Sequence, residues 1–529
     1  MYDAFPKTRV KVQGGFNGYS AIQTEIRRTK SNVIAVECYP AINEEEILER
    51  LIAPLEPGGL IIQATEQFCT VEKVTTMIEE NLTEDRIFGV VSHHQLQDFI
   101  DGKQQEILQQ KIQTVLASNQ SVVVYGVGAS LLYPADLLIY ADLSRWEIQK
   151  RYQSGTYSNW QANNAGEDPL RMIKRGYFFE WRVADRLKQQ LFNSIDYFLD
   201  THQANQPVML EATAYFEALE QIARQPFRLV PFFDPGVWGG GNWMQETFEV
   251  EQYKDNLAWS FDGVPEENSL LLATNTIQME IPANNLVFYQ PAALLGERVY
   301  DQLGKEFPIR FNYLDTVGGG GNLSLQVHPL VEYVQKTFGM TYTQDESYYI
   351  IEAKDQASLY LGVKNGTNKK ELMKALQHSA SSGERFPDEQ YIYQRPVKKH
   401  DHYSIPAGTI HSAGANTVVL EISATPNRFT FKLWDWGGRL GLDGLPRPVH
   451  LNHGEPNIVI SRDQDWVEQE LCNQMELIAE YPEWQEERTG LHKTEFIETR
   501  RHTFTGKVLH QTHGSVNMLN LVEGGRGNY

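Results

Sequence analysis

A chain of 529 residues exceeds a single ordinary core, so two or more domains are expected. A hydrophobic content of 41% with 11% aromatics is that of a globular protein, and a net charge of −21 argues against nucleic acid or an anionic membrane as main partner. The start, Met1-Tyr2-Asp3-Ala4-Phe5-Pro6-Lys7, lacks an apolar leader core, no later apolar run is long enough to span a bilayer, and the scattered Cys38, Cys69 and Cys472 suit a reducing compartment, so a soluble cytoplasmic protein is expected.

Over residues 1–205 apolar runs alternate with helical periodicity. Residues 32–36, 59–62, 87–91, 122–125 and 137–140 predict buried strands; 44–55, 71–82, 95–116 and 172–201 predict helices. That alternation predicts a multidomain chain opening with an α/β domain, its parallel sheet covered on both faces. Residues 206–225 read as a helical linker. From Pro226 onward, short strands, aromatics and corners such as Pro235-Gly236, 239–242, Asp262-Gly263 and 318–322 predict an all-β antiparallel barrel over 226–462. Residues 463–488 predict a helical insertion and 494–522 a final β stretch, so 463–529 reads as an insertion followed by the start of a second barrel, broken off early.

The chemistry concentrates in the barrel. In Gln326-Val327-His328-Pro329, strand alternation turns Gln326 and His328 the same way. Glu346 opens the strand Ser347-Tyr348-Tyr349-Ile350-Ile351, and the corner Pro406-Ala407-Gly408 delivers His411, with Gly408 supplying the positive φ. An isolated histidine here would read as a hydrogen-bonded wall residue. Four donors on neighbouring strands can instead surround one divalent cation with a carbonyl, two imidazoles and a carboxylate. Imidazole and carboxylate donors suit Zn²⁺, and so few protein ligands leave room for water or substrate.

From about Phe227 onward the chain resembles the type I mannose-6-phosphate isomerases of the cupin superfamily. The matching motifs run in order: 235–240, 256–260 with 267–269, Leu314-Asp315, Gln326 to Pro329, Glu346 with Tyr348-Tyr349-Ile350, 360–362, 406–411, 433–437 and 447–450. The resemblance implies a cupin (jelly-roll) fold and Zn²⁺ on Gln326, His328, Glu346 and His411. It also implies a hexose 6-phosphate as small-molecule partner, with mannose 6-phosphate and fructose 6-phosphate interconverted. Two motifs depart from the pattern. The family's Lys-Thr-Glu is here Gln344-Asp345-Glu346, and its Ser-Asp-x-Thr-Tyr-Arg is Asn427-Arg428-Phe429-Thr430-Phe431-Lys432. Arg428 and Lys432 are the cations expected to handle phosphate or the enediolate. A cupin that binds a sugar or sugar phosphate without turnover is the alternative.

His400 and His402 fall where that family has an ordinary turn. Residues 122–131, 136–143 and 145–151 are more weakly similar to the later half of P-loop nucleoside kinases. The segment 14–20 lacks the Gly-Lys-Ser/Thr that cradles phosphates, so a non-catalytic kinase-like module, regulatory or nucleotide-binding, is expected there. These motifs leave the oligomeric state open.

Overall fold

The computed structural model describes residues 2–55, 58–239, 243–250, 256–318, 320–424, 428–437, 439–441, 443–490, 492 and 494–524. Residues 240–242, 319, 427 and 525, which belong to motifs noted above, lie outside them. The chain divides into two compact units, Phe5–Val230 with Pro265–Tyr300, and Met1–Ala4 with Pro231–Val264 and Asp301–Tyr529. Among the described residues no helix is long and apolar enough to cross a membrane.

The first unit carries a seven-stranded sheet in the order Phe16–Asn17, Val208–Glu211, Tyr197–Asp200, Leu137–Asp142, Val33–Cys38, Val122–Gly126, Leu60–Gln63. The five strands from Tyr197–Asp200 to Leu60–Gln63 are parallel. Val33–Cys38, Val122–Gly126 and Leu137–Asp142 are buried at every position, as strands covered on both faces must be. Residues 87–91, expected as a strand, form none. Asn81 O accepts from Val90 N, Asn81 Nδ2 donates to Val90 O, and Thr83 Oγ1 donates to Phe88 O, so helix-end groups satisfy that backbone in place of a neighbouring strand. The helix expected over 172–201 ends with Trp181–Leu191, and Tyr197–Asp200 becomes a buried strand instead.

The presumed linker 206–225 is part of this unit. Val208–Glu211 pairs with Tyr197–Asp200, and Ala212–Ala223 buries Tyr215, Leu219 and Ile222. Residues 265–300, expected within the barrel, are also built into it. Ser269–Ala273 pairs with Lys7–Arg9, and buried Asn285 donates to Asp142 and to Tyr215 Oη at 2.7 Å each. Asp142 also holds Lys188 Nζ at 2.8 Å, which gives this unit a fully paired buried ion pair. The segment 14–20 holds the short edge strand Phe16–Asn17 and the start of helix Gly18–Thr29.

The sheets of the second unit are antiparallel. A six-stranded sheet runs His402–Ile405, Glu346–Ala353, Thr417–Ala424, Ile309–Asp315, Trp259–Gly263, Phe232–Asp234; a five-stranded sheet runs Ile392–Pro396, Ser358–Val363, His411–Ala413, Leu325–Val327, Phe431–Trp434. Alternation divides the faces of the larger sheet. Leu314, Ile350 and Val419 pack with Leu359 and Leu361 of the smaller sheet, which places a core between the two. Phe311, Tyr313, Ile351, Val418 and Leu420 face the other way, against Phe233 and Met244.

The helical insertion is shorter than expected. Asp463 caps the single helix Gln464–Glu470, and Glu476–Tyr481, Trp484–Gly490 and Thr499–Phe504 then form a three-stranded sheet. Glu487 stands opposite Arg501 across that sheet, 2.6 Å apart, so the charge pattern that read as a helix face is a cross-strand ladder.

His402 lies in the edge strand of the larger sheet, 1% exposed, with its Nδ1 unpartnered. Burial pushes its imidazole down from 6.5 to about 4. Below the upper value the unfolded chain takes up a proton that the folded chain refuses. Stability is therefore full at neutral pH and declines as pH falls through that window, by about 3 kcal/mol in total. Denaturant titrations above and below the window should show H402N losing less stability than the natural chain, by about that amount. Equal losses would rule out a buried neutral imidazole.

Candidate metal centre

Three short segments bring the donors together. Gln326 is the central residue of Leu325–Val327 and His328 follows it; Glu346 opens Glu346–Ala353, and His411 opens His411–Ala413. Gln326 stands directly opposite His411 in the ladder. The corner before His411 requires Gly408, whose φ is +91° and where a Cβ would lie 2.8 Å from Val459 and 2.9 Å from Leu330. Its N–H donates to His328 O at 3.0 Å, tying one histidine segment to the other.

The donor atoms of His328, Glu346 and His411 all lie within 4.8 Å of one another, and all three residues are buried. Glu346 Oε2 is 3.1 Å from His328 Nε2, and Oε1 is 2.7 Å from His411 Nε2. His328 Nδ1 lies 3.0 Å from Phe429 O and His411 Nδ1 2.9 Å from Thr409 O. Those carbonyls place a proton on each Nδ1, so both Nε2 lone pairs point at the carboxylate. Acceptors facing acceptors need a cation or extra protons between them. His328 Nε2 and Glu346 Oε1 have no aligned hydrogen-bond partner despite the short separations, which fits such a cation. Burial pushes the Glu346 carboxyl up; in the alternative with extra protons, the His328 and His411 charges outweigh burial and hold the group well below the carboxylate range.

Gln326 Nε2 lies 3.0 Å from His411 Nε2; turning the amide over presents its oxygen instead. The residues present therefore fit a divalent ion with two imidazoles, a carboxylate and an amide oxygen, a set suited to zinc.

The proposed substrate cations occupy two settings. Lys432 stands opposite Gln326 in the neighbouring strand and is half-buried. Arg428 lies in the connection leading to that strand, with φ at 86°, one residue before the carbonyl that holds His328. A non-glycine residue in this region carries a cost of about 1 kcal/mol or more, which the surrounding contacts must offset. Gln344 donates to Glu346 Oε2 at 3.2 Å, so the position where the resemblance has lysine supports the carboxylate with a neutral amide.

The sequence reading missed a further polar set. In register across three strands, Arg310 faces Ser423, which faces Glu346; Asn312 faces Glu421, which faces Tyr348. All six are buried. Burial, then the Glu346 charge, pushes Glu421 up to about 8. Arg310 Nε, Ser423 Oγ, Tyr348 Oη and Gln344 Oε1 have no hydrogen-bond partner. The signal was alternation, Arg310-Phe311-Asn312 and Glu421-Ile422-Ser423, with polar residues on one face of otherwise apolar strands.

Residues 18–224 match the family model of a domain of unknown function, DUF8485. The mannose-6-phosphate isomerase ManA of Bacillus subtilis (strain 168) is 25% identical over 231 residues, covering 44% of this chain and 67% of that relative. The probable mannose-6-phosphate isomerase GmuF of the same strain is 25% identical over 241 residues, covering 44% and 69%. The crystal structure of the mannose 6-phosphate isomerase from Bacillus subtilis is similar at a TM-score of 0.43 and 19% identity, covering 53% of this chain and 80% of that one.

Removing a donor leaves the others buried and facing each other. H411A and E346Q should each weaken binding of zinc by at least about 100-fold, read by competition with a chromophoric chelator. Undiminished affinity in either variant would remove that residue from the donor set.

Proposed function

We propose that this chain is a zinc-dependent aldose–ketose isomerase interconverting mannose 6-phosphate and fructose 6-phosphate through an enediol. The observation that carries the reading is the pair of buried imidazoles whose lone pairs converge on the Glu346 carboxylate. The partial similarity to mannose-6-phosphate isomerases supports the choice of substrate. Zinc held by Gln326, His328, Glu346 and His411 would supply Lewis acidity to the oxygens on the reacting carbons.

The chain's own side chains do the rest. Lys432, opposite Gln326, offers a positive charge to the oxygen that becomes anionic in the enediolate. Arg428 adds a second positive charge for the enediolate or the phosphate, and a cation on the phosphate lets binding energy far from the reacting carbons orient them. Tyr348 and Ser423 offer buried, unpartnered hydroxyls to the sugar. The three free, buried cysteines suit work in the reducing cytoplasm.

A second reading, a cupin that binds a sugar phosphate without turning it over, is favoured by Gln344. The resemblance has a lysine there, and an amide cannot supply its charge.

Zinc-loaded protein in a coupled assay should form fructose 6-phosphate steadily; chelation should abolish turnover and zinc should restore it. K432A should lower kcat/KM about 100-fold, about 3 kcal/mol of transition-state stabilisation. Binding of mannose 6-phosphate with no turnover would select the second reading, and an unchanged rate in K432A would return that lysine to a structural role.

A further inference from the structure

Arg310 is 7% exposed, on the inner face of Ile309–Asp315, in the cross-strand row that leads through Ser423 to Glu346. A guanidinium has five N–H donors. Its hydrogen bond goes from Nη2 to Asn312 Oδ1 at a long 3.4 Å, and its Nε has no partner. Asn312 in turn reaches Glu421 Oε2 at 3.5 Å. A buried arginine that served only to hold the fold would spend its donors on carboxylate and backbone carbonyl oxygens. Arg175 does so in the other unit, with Nε 3.0 Å from Glu180 and Nη2 3.1 Å from Trp160 O. Arg310 keeps most of its donors unspent, beside a hydroxyl that is also unpartnered, Ser423 Oγ. Leaving buried charged donors unmet is costly, so acceptors from outside the chain belong there.

We propose that Arg310 is a specificity-determining residue that receives the phosphate oxygens of the ligand inside the barrel. Two strand spacings, roughly 10 Å, separate its backbone from that of Glu346, a span that a sugar phosphate lying across the sheet can bridge. Planar paired donors match phosphate geometry, which the neutral residues in the same row do not. Glu421 and Glu346 are the acidic groups facing it; the charge of Glu346 discriminates against an anion placed at its end of the row and leaves the guanidinium as the anchor.

The identity of the ligand rests on the isomerase reading, so the test begins with inorganic phosphate. Calorimetry on zinc-loaded protein should show R310M binding phosphate and mannose 6-phosphate about tenfold or more weakly than the natural chain, with R310K between them and mannose unaffected. In turnover the loss should appear in KM more than in kcat. Equal phosphate affinity in R310M, or no phosphate binding by the natural chain, overturns the assignment even if isomerisation is observed. Phosphate binding lost in R310M without any isomerisation by the natural chain upholds the anion site and sinks the isomerase. If R310M does not fold, the Arg310 Nε–Hε resonance, assigned with R310K, decides: a saturable shift with phosphate supports the assignment and an unmoved resonance refutes it.

Discussion

The centre of the second unit turns on one buried charge, the carboxylate of Glu346. Removing a carboxylate from water costs several kcal/mol unless its charge is answered on the spot. His328 and His411 bring their Nε2 atoms to 3.1 and 2.7 Å from it on segments of the opposite sheet, where a cation or added protons would answer the charge. Their rings can stand so only because backbone carbonyls of Phe429 and Thr409 fix the far nitrogens. The corner that carries the Thr409 carbonyl is itself held. Arg462 Nη1 donates to Pro406 O, Ala407 O and Thr409 Oγ1 at 2.6 Å each, and Ala407 N donates to Asp345 Oδ1 at 2.7 Å. The hairpin that carries His411 is therefore clamped from the residue next to Glu346. A displacement of one donor would be transmitted to the others through hydrogen bonds rather than absorbed by soft packing.

The inner face of the larger sheet is divided lengthwise. At one end Leu314, Val419 and Ile350 join the apolar core between the sheets. At the other end the same three strands present Arg310, Asn312, Glu421, Ser423 and Glu346. Burial of the apolar end stabilises the sheet without help from the polar end, at roughly 25 cal/mol per Å² of apolar surface removed from water. Polar atoms left without partners, which would cost about 1–3 kcal/mol each, can thus be carried where the centre lies. Stability and site thus share strands while drawing largely on opposite ends of them.

Much of this was legible in the chain, for physical reasons that also explain the misreadings. Strands such as Val33–Cys38 are buried on both faces and so appear as unbroken apolar runs. Residues 87–91 have that composition too, but Asn81 and Thr83 meet their backbone groups first, a tertiary fact that no local pattern records. Residues 476–488 look helical because charges recur through them, yet Glu487 answers Arg501 across a sheet rather than along a helix. In the centre, the histidines were readable because each opens or follows a strand beside a glycine or proline corner, and Glu346 because it opens the strand between them. Arg310 and Ser423 were not, because what aligns them with Glu346 is strand register, set by pairings between segments far apart in the chain.

A phosphorylated ligand must approach a chain whose net charge is −21, and the balance of distances decides whether that matters. At physiological salt, charges farther than about 8 Å are largely screened. Most of the carboxylates that make up the excess lie on the solvent side, so their repulsion slows encounter in a salt-dependent way and changes the bound state little. A guanidinium about 4 Å from a phosphate oxygen, in a setting with an effective dielectric constant near 20, contributes about 4 kcal/mol before desolvation is counted. One cation held inside the barrel therefore outweighs a surface of opposite sign. That favours placing it on the same strands as the centre, as Arg310 is, rather than on an exposed rim where salt would remove it.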